Sequence, residues 1–260
     1  MADTSRTKTE LGWAGMPRAK AAKSKLTDSN FRLWSIAYRV LDMEGHTDLT
    51  QGHLSIRDPN GRGFWMKRTG IAFFEIKGRN DFVLIDFDGN RLEGKGVHGE
   101  WPIHAEIFRS RPDVNAVGHT HPFYASTFSA SREPLRAVAH EASNLNGAVT
   151  RYVGTSNLID TPKLGREVAE ALGPAPAVLM KNHGITFCGP SVEECVLAGI
   201  FLERACHAQL VIGASGFAWD YTGEPEMREK YKTVMTPAFI RNSWEFYVRK
   251  LARREAGIAV

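Results

Sequence analysis

His119-Thr120-His121 closes an apolar run containing Val114, Ala116 and Val117, and His183 follows a second such run, Ala177 to Lys181. Side chains alternate across a strand, so His119 and His121 fall on the same side. Two imidazoles at one strand end, joined by a third from the turn after another strand, can supply three neutral nitrogens to one divalent cation. Three imidazoles leave a coordination position open, as catalytic zinc sites do. Gly118 and Gly184 give the backbone room beside these ligands. An isolated His-x-His is more often a hydrogen-bonded strand pair, so the metal reading depends on the third histidine. His53 and His98 sit beside glycines and are candidates for substrate contact. His104 lies one turn into a helix after Glu100, as a core or supporting residue, and His207 reads as a surface or packing residue.

A sheet and its helices must bring these residues together. Residues 1–25 are polar, small and weakly basic, and read as a flexible N-terminal arm. Thr27 and Asp28 can cap a helix through Phe31, Leu33, Trp34, Ala37, Val40 and Leu41, and Gly45 stops it. Short strands are expected over 53–57, 63–67, 71–74 and 82–85, with Asp88-Gly89-Asn90 turning between strands. Pro102 suits the first turn of a helix over 101–111. A strand over 114–121 ends in the histidine pair. A helix over 164–172 stops at Gly173, and a strand over 177–181 ends at Asn182-His183-Gly184. Ser191 and Glu194 form a capping box for a long helix through Gln209 and Ile212, ended by Gly213. Its Val196, Leu197, Ile200, Phe201 and Ala205 keep helical spacing. From Glu224 onward the chain reads as one or two helices. An α/β fold of one domain, with a mixed sheet covered by helices, fits this order.

The 260 residues are 43% hydrophobic and 24% charged, which allows a sizeable core. No run approaches the roughly eighteen uninterrupted apolar residues of a membrane span, and the start has no hydrophobic signal core. A cytoplasmic location without a membrane partner is expected. Cys188, Cys195 and Cys206 match no zinc spacing and make no disulfide framework. The net charge of +4 is spread thinly, through Lys20, Lys23 and Lys25 and through Arg249, Lys250, Arg253 and Arg254. Terminal runs of this kind are usually solvated tails, so no nucleic-acid partner is expected. A small anionic substrate is the better beneficiary of a basic balance.

Several ordered motifs resemble the class II aldolase/adducin family, which includes fuculose-phosphate aldolase and ribulose-phosphate 4-epimerase. They are Gly52-His53-Leu54-Ser55, Thr69-Gly70 and Asp86 to Gly89. Then come Glu100 with His104 four residues on, Arg111-Pro112-Asp113-Val114, Val117-Gly118-His119-Thr120-His121-Pro122 and Asn182-His183-Gly184. The resemblance covers Leu26 to Gly213. It implies a single-domain, three-layer fold whose mixed sheet is largely antiparallel. A catalytic domain would span 26–215, and a helical C-terminal extension over 216–260 would pack on it and on a neighbouring subunit. It implies that His119, His121 and His183 bind the metal and that Glu100 is the acid/base carboxylate. Without the family, Glu100 would read as a solvated acid favoured by the helix dipole. The resemblance also implies a homotetramer with active sites at subunit contacts, entered by tail aromatics for which Tyr221, Tyr231 and Tyr247 are candidates. Three imidazoles suit zinc, while manganese, iron or cobalt would also serve.

The chain departs from the family's phosphosugar aldolases where they grip phosphate. His53 stands for an Asn, His98-Gly99 stands for a Ser-Ser pair, and only Thr69-Gly70 survives. His53, His98 and Arg68 could supply cationic donors instead. Imidazoles and arginines also suit a planar carboxylated or hydroxylated ring. Phe64-Trp65-Met66-Lys67-Arg68 offers either an aromatic wall with cations beside it or an ordinary strand with solvated Lys67 and Arg68. The substrate-contact set is thus His53, Arg68, Thr69, Gly70, His98 and the three tyrosines. The resemblance, with these departures, implies a metal-dependent carbon–carbon lyase that decarboxylates a hydroxylated aromatic or pyridine (di)carboxylate, the dication acting as electron sink. An aldolase cleaving a small hydroxy-carbonyl substrate is the alternative. A non-catalytic adducin-like interaction module is the second alternative.

Overall fold

Thr27 ends an extended entry and begins the first helix, its backbone N–H donating to the Asn30 side chain at 3.0 Å. That is one half of a reciprocal cap, which satisfies a donor the helix cannot. The computed structural model describes residues 26–258; the arm expected over 1–25, with Lys20, Lys23 and Lys25, lies outside the described residues. The helices are α1 (Asp28–Met43), α2 (Trp101–Ser110), α3 (Phe123–Ser129), α4 (His140–Ser143), α5 (Pro162–Leu172), α6 (Val192–Ala214), α7 (Glu224–Val234) and α8 (Pro237–Glu255). The strands are β1 (His53–Arg57), β2 (Phe64–Lys67), β3 (Phe82–Ile85), β4 (Arg91–Glu93), β5 (Ala116–Thr120), β6 (Val149–Tyr152), β7 (Ala177–Met180) and β8 (Gly184–Gly189).

All the strands join one sheet in the order β4-β3-β2-β1-β5-β8-β7-β6. Every pairing is antiparallel except β6 with β7. Helices α2 and α5 bury Ile103, Ile107, Val168 and Leu172 on one face. On the other, α1, α6 and α8 bury Trp34, Leu41, Leu197, Phe201 and Trp244. The result is the expected single domain of three layers around a mixed, largely antiparallel sheet. Helix α6 is apolar on nearly every side because it is the core helix, wedged between the sheet and α1 and α8. It is long and apolar enough to cross a membrane, but 67% of its most apolar window is buried inside the fold.

Tyr38 of α1 fixes the sheet's position. Its hydroxyl donates to the Leu54 carbonyl and accepts from the backbone N–H groups of Leu54 and Lys67, at 3.0 and 2.9 Å. The basic run of α8 is not a solvated tail. Lys250 reaches the nearly buried Glu44 at 2.7 Å, and Arg254 faces Asp42 at 3.6 Å, so the run ties α8 to α1. The strand expected over 71–74 is absent. Gly70 (φ +79°) turns the chain out of β2, and a single 3-10 turn, Phe73–Glu75, follows. The Glu75 carboxylate accepts from the Ala72 N–H at 2.7 Å, while Phe74 is left 61% exposed.

Candidate metal centre

Strand β5 lies between β1 and β8, and His53, His119 and Thr186 stand in register across them. His183 sits in the turn joining β7 to β8. It is β8, pairing directly with β5, that carries His183 to the histidine pair; β7 is one strand further out. Asn182 takes a left-handed conformation (φ +55°) to make that turn, a conformation asparagine tolerates better than most residues. The two glycines beside the ligands are sterically required. A Cβ at Gly184 would lie 2.5 Å from His121 Cδ2, and one at Gly118 would lie 2.2 Å from the Phe187 ring beneath β5.

Glu100, His119, His121 and His183 each bring one ligand atom within 4.8 Å of the others. His119 Nε2 and His121 Nε2 are 3.1 Å apart. The Glu100 carboxylate lies 3.4 Å from His119 Nε2 and 3.5 Å from His183 Nε2. His119 Nδ1 donates to the Ile185 carbonyl at 3.0 Å, and His121 Nδ1 donates to Asp48 at 3.2 Å. Each ring spends its N–H outward, so both Nε2 lone pairs face inward. Two acceptors so close, with no proton between them, repel unless a cation shares them. A tetrahedron with metal–nitrogen arms of about 2.0–2.1 Å has edges of about 3.4 Å, which matches this spacing. Burial lowers the pKa of His121 to about 4 and also lowers that of His183, which keeps both neutral, the ligating form, at pH 7. The donor set fits a divalent ion.

Glu100 caps α2 through its backbone carbonyl, which accepts from Ile103 N–H at 3.2 Å. Its side chain does not enter solvent. It turns into the histidine cluster, 8% exposed, and accepts from the Ile159 backbone N–H at 2.9 Å. Burial raises its pKa, but the imidazoles of His119 and His53 outweigh this and hold it well below the usual carboxylate range.

His53 and His98 join the cluster's surroundings, their rings 4.9 Å apart. They are not cationic donors. Burial lowers His53 well below its ordinary pKa and His98 to about 3, so both are neutral. Nor is there an aromatic wall: Phe64, Trp65 and Met66 are core residues. Arg68 turns its guanidinium toward Asp81, 3.7 Å away, while its backbone is hydrogen-bonded to His98. Thr69 and Gly70 are exposed, and Thr69 N–H donates to the Gly96 carbonyl. The tyrosines stand away from the cluster within this chain. Tyr221 is half exposed beneath Arg136, Tyr231 lies on α7, and Tyr247 is buried in its own chain's core.

Sequence reasoning missed Lys67 as a buried group. Wholly buried, it donates to the carbonyls of Thr50 and Ile71 and to His98 Nε2, at 2.8, 3.1 and 3.1 Å. Burial lowers its pKa to about 8, which still leaves an ammonium at pH 7. The signal was alternation, since Lys67 falls on the same side of β2 as the buried Trp65. Asp48 and Ile159 gave no signal, because both are loop residues placed by the fold.

His46 supports the histidine pair from below, its Nδ1 2.9 Å from Thr120 Oγ1 and its Nε2 without a partner. Burial lowers its pKa to about 3. The unfolded chain therefore takes up this proton first as pH falls, and stability declines from about pH 6.5 downward. At pH 5 the cost from this group is about 2 kcal/mol. Urea unfolding of metal-free protein should show a loss between pH 7 and pH 5 that His46→Gln reduces by about that amount. An unchanged pH slope in the variant would contradict this.

Comparison with known proteins agrees with the geometry. Residues 35–210 match the family model described as the class II aldolase and adducin N-terminal domain. A 3,4-dihydroxyphthalate decarboxylase from Arthrobacter keyseri is 30% identical over 210 residues, 75% of this chain and 83% of that protein. The meiotically up-regulated gene 14 protein of Schizosaccharomyces pombe is 31% identical over 183 residues, 69% of this chain and 71% of that one. Among solved structures, an L-fuculose 1-phosphate aldolase from Glaciozyma antarctica superposes with a TM-score of 0.75 at 25% identity, covering 91% of this chain and 96% of the other.

Proposed function

The chain belongs to the class II aldolase and adducin family, and from that membership we propose that it is a metal-dependent carbon–carbon lyase that decarboxylates a hydroxylated aromatic or pyridine (di)carboxylate. The observation that carries this reading is the loss of an amide and two hydroxyl donors where the resemblance places the phosphate grip, with the buried imidazoles of His53 and His98, and Gly99, standing in their place. Likeness to a 3,4-dihydroxyphthalate decarboxylase over most of its length supports it.

His119, His121 and His183 would hold the ion, zinc or else manganese, iron or cobalt. When bound, it supplies a Lewis acid for negative charge that develops on a substrate oxygen. Lys67, wholly buried with its three N–H groups on Thr50, Ile71 and His98, orients the His98 imidazole. The carbon–carbon bond to the departing carboxylate breaks, its electron pair stays on the ring carbon, and carbon dioxide leaves. Glu100, an ionised carboxylate held by the Ile159 N–H, would first take the proton of a ring hydroxyl and then deliver it to that carbon, which leaves the product as its phenolate. The domain would span 26–215. The helices beyond it would pack on the domain and on a neighbouring subunit of a cytoplasmic homotetramer, with Tyr221 the most exposed of the three candidate tyrosines.

The fuculose-phosphate aldolase fold favours a second reading, aldol cleavage of a hydroxy-carbonyl substrate by the same side chains. A non-catalytic module would have no use for four converging donor groups. Metal-replete protein incubated with hydroxylated benzene and pyridine dicarboxylates, 3,4-dihydroxyphthalate among them, should release carbon dioxide. Aldehyde formation from hydroxy-carbonyl compounds, with no carbon dioxide from any ring acid, would reject the decarboxylase.

A further inference from the structure

The turn that carries His183 is tied to helix α3. The His183 N–H donates to the Met180 carbonyl at 3.0 Å, closing the turn Met180-Lys181-Asn182-His183. Asn182 is left-handed (φ +55°) and Lys181 is not, the signs of a type II turn. Type I and type II differ by a flip of the peptide between the two central residues, and the N–H of that peptide takes no part in the closing bond. Here it is the Asn182 N–H, and it donates to Ser129 Oγ at 3.1 Å. The Ser129 hydroxyl is wholly buried and spends its own proton on the Ser126 carbonyl at 2.7 Å, so it presents a lone pair to the turn.

Ser129 is a fixed post. Helix α3 starts two residues after His121, and Pro122 brings no side-chain cap to it. The Glu203 carboxylate of α6 accepts instead from the N–H groups of Tyr124 and Ala125, at 3.0 and 2.7 Å. At the other end, the Arg151 guanidinium donates to the carbonyls of Ser129 and Ser131. On the far side of His183, Gly184 packs so closely that a Cβ there would lie 2.6 Å from the Thr120 carbonyl oxygen. His183 is thus held between a peptide that Ser129 orients and a backbone with no room to yield.

We propose that Ser129 is a positioning residue for the metal centre: by accepting from Asn182 it holds the Lys181–Asn182 peptide in the orientation that aims the His183 imidazole at His119 and Glu100. This rests on His183 as a metal ligand, and so on the reading above. Ser129 is not among the four converging groups and acts only through the turn. Without its lone pair, nothing repays the left-handed conformation of Asn182, and the peptide is free to flip.

Titration of zinc-loaded protein with a chromophoric chelator tests this as a double-mutant cycle. Ser129→Ala should weaken zinc binding by about tenfold, the loss typical of a disturbed ligand support. In a His183→Ala background the same change should cost less than about twofold, because no imidazole is left for the turn to aim. Equal losses in the two backgrounds would mean general loosening of the fold and overturn the proposal, as would undiminished affinity in a folded Ser129→Ala. The visible bands of the cobalt-loaded variant should also differ from those of wild type, and identical bands would contradict a changed ligand geometry. If Ser129→Ala does not fold, Ser129→Cys is read in the same way, since a thiol of similar shape accepts only weakly. Zinc affinity untouched by His183→Ala would instead reject His183 as a ligand, and with it the reading beneath the proposal.

Discussion

Replacing Glu100 with glutamine should lower kcat by about a hundredfold to ten-thousandfold, the range expected when a positioned acid/base group is removed. The protein should keep its metal and its fold. Gln is isosteric, and its side-chain oxygen can still accept from Ile159 N–H at the 2.9 Å contact that now orients the carboxylate. What it cannot do is exchange a proton with the reacting carbon. Steady-state kinetics, circular dichroism and metal analysis of the same preparation separate these effects. A Glu100→Gln enzyme with more than about a tenth of wild-type kcat would take the carboxylate out of its role.

His121→Ala should do more. It removes one of three imidazoles and breaks the 3.1 Å contact through which His119 and His121 converge. The Asp48 carboxylate loses its partner with it. Two remaining imidazoles bind a divalent ion weakly, so the variant should lose metal on dialysis and turnover should fall by at least about a thousandfold. Its fold should survive, because His121 is only partly buried and β5 ends one residue before it. Activity restored by millimolar added metal would agree with weakened binding. Full activity in metal-free buffer would not.

How far these sites were legible in the sequence depended on how local their causes are. Helices α1 and α6 announce themselves through Thr27 and Ser191, whose caps act within three residues, and Pro102 marks α2 in the same way. The His119 and His121 pair was legible because alternation is a property of any strand. Strand β8 was not. Gly184 to Gly189 is buried on both faces, so it has no polar–apolar rhythm and blends into the turn before it. The burial of Glu100 depends on Ile159, far along the chain, so only the family resemblance pointed to it. The neutrality of His53 and His98 arises from desolvation in the folded core, which a residue list does not record, and the cationic reading of both therefore fails. Lys67 could have been placed by alternation with Trp65, had its charge not argued for solvent.

The central claim is that three imidazoles grip one dication. Metal analysis of the purified protein, followed by X-ray absorption of the zinc-loaded form beside His121→Ala, tests it most directly. The account predicts close to one ion per chain, with imidazole scattering from shells at about 2.0–2.1 Å, and loss of that signal in the variant. Absence of stoichiometric metal from replete wild-type protein, or an unchanged imidazole shell in His121→Ala, would contradict it.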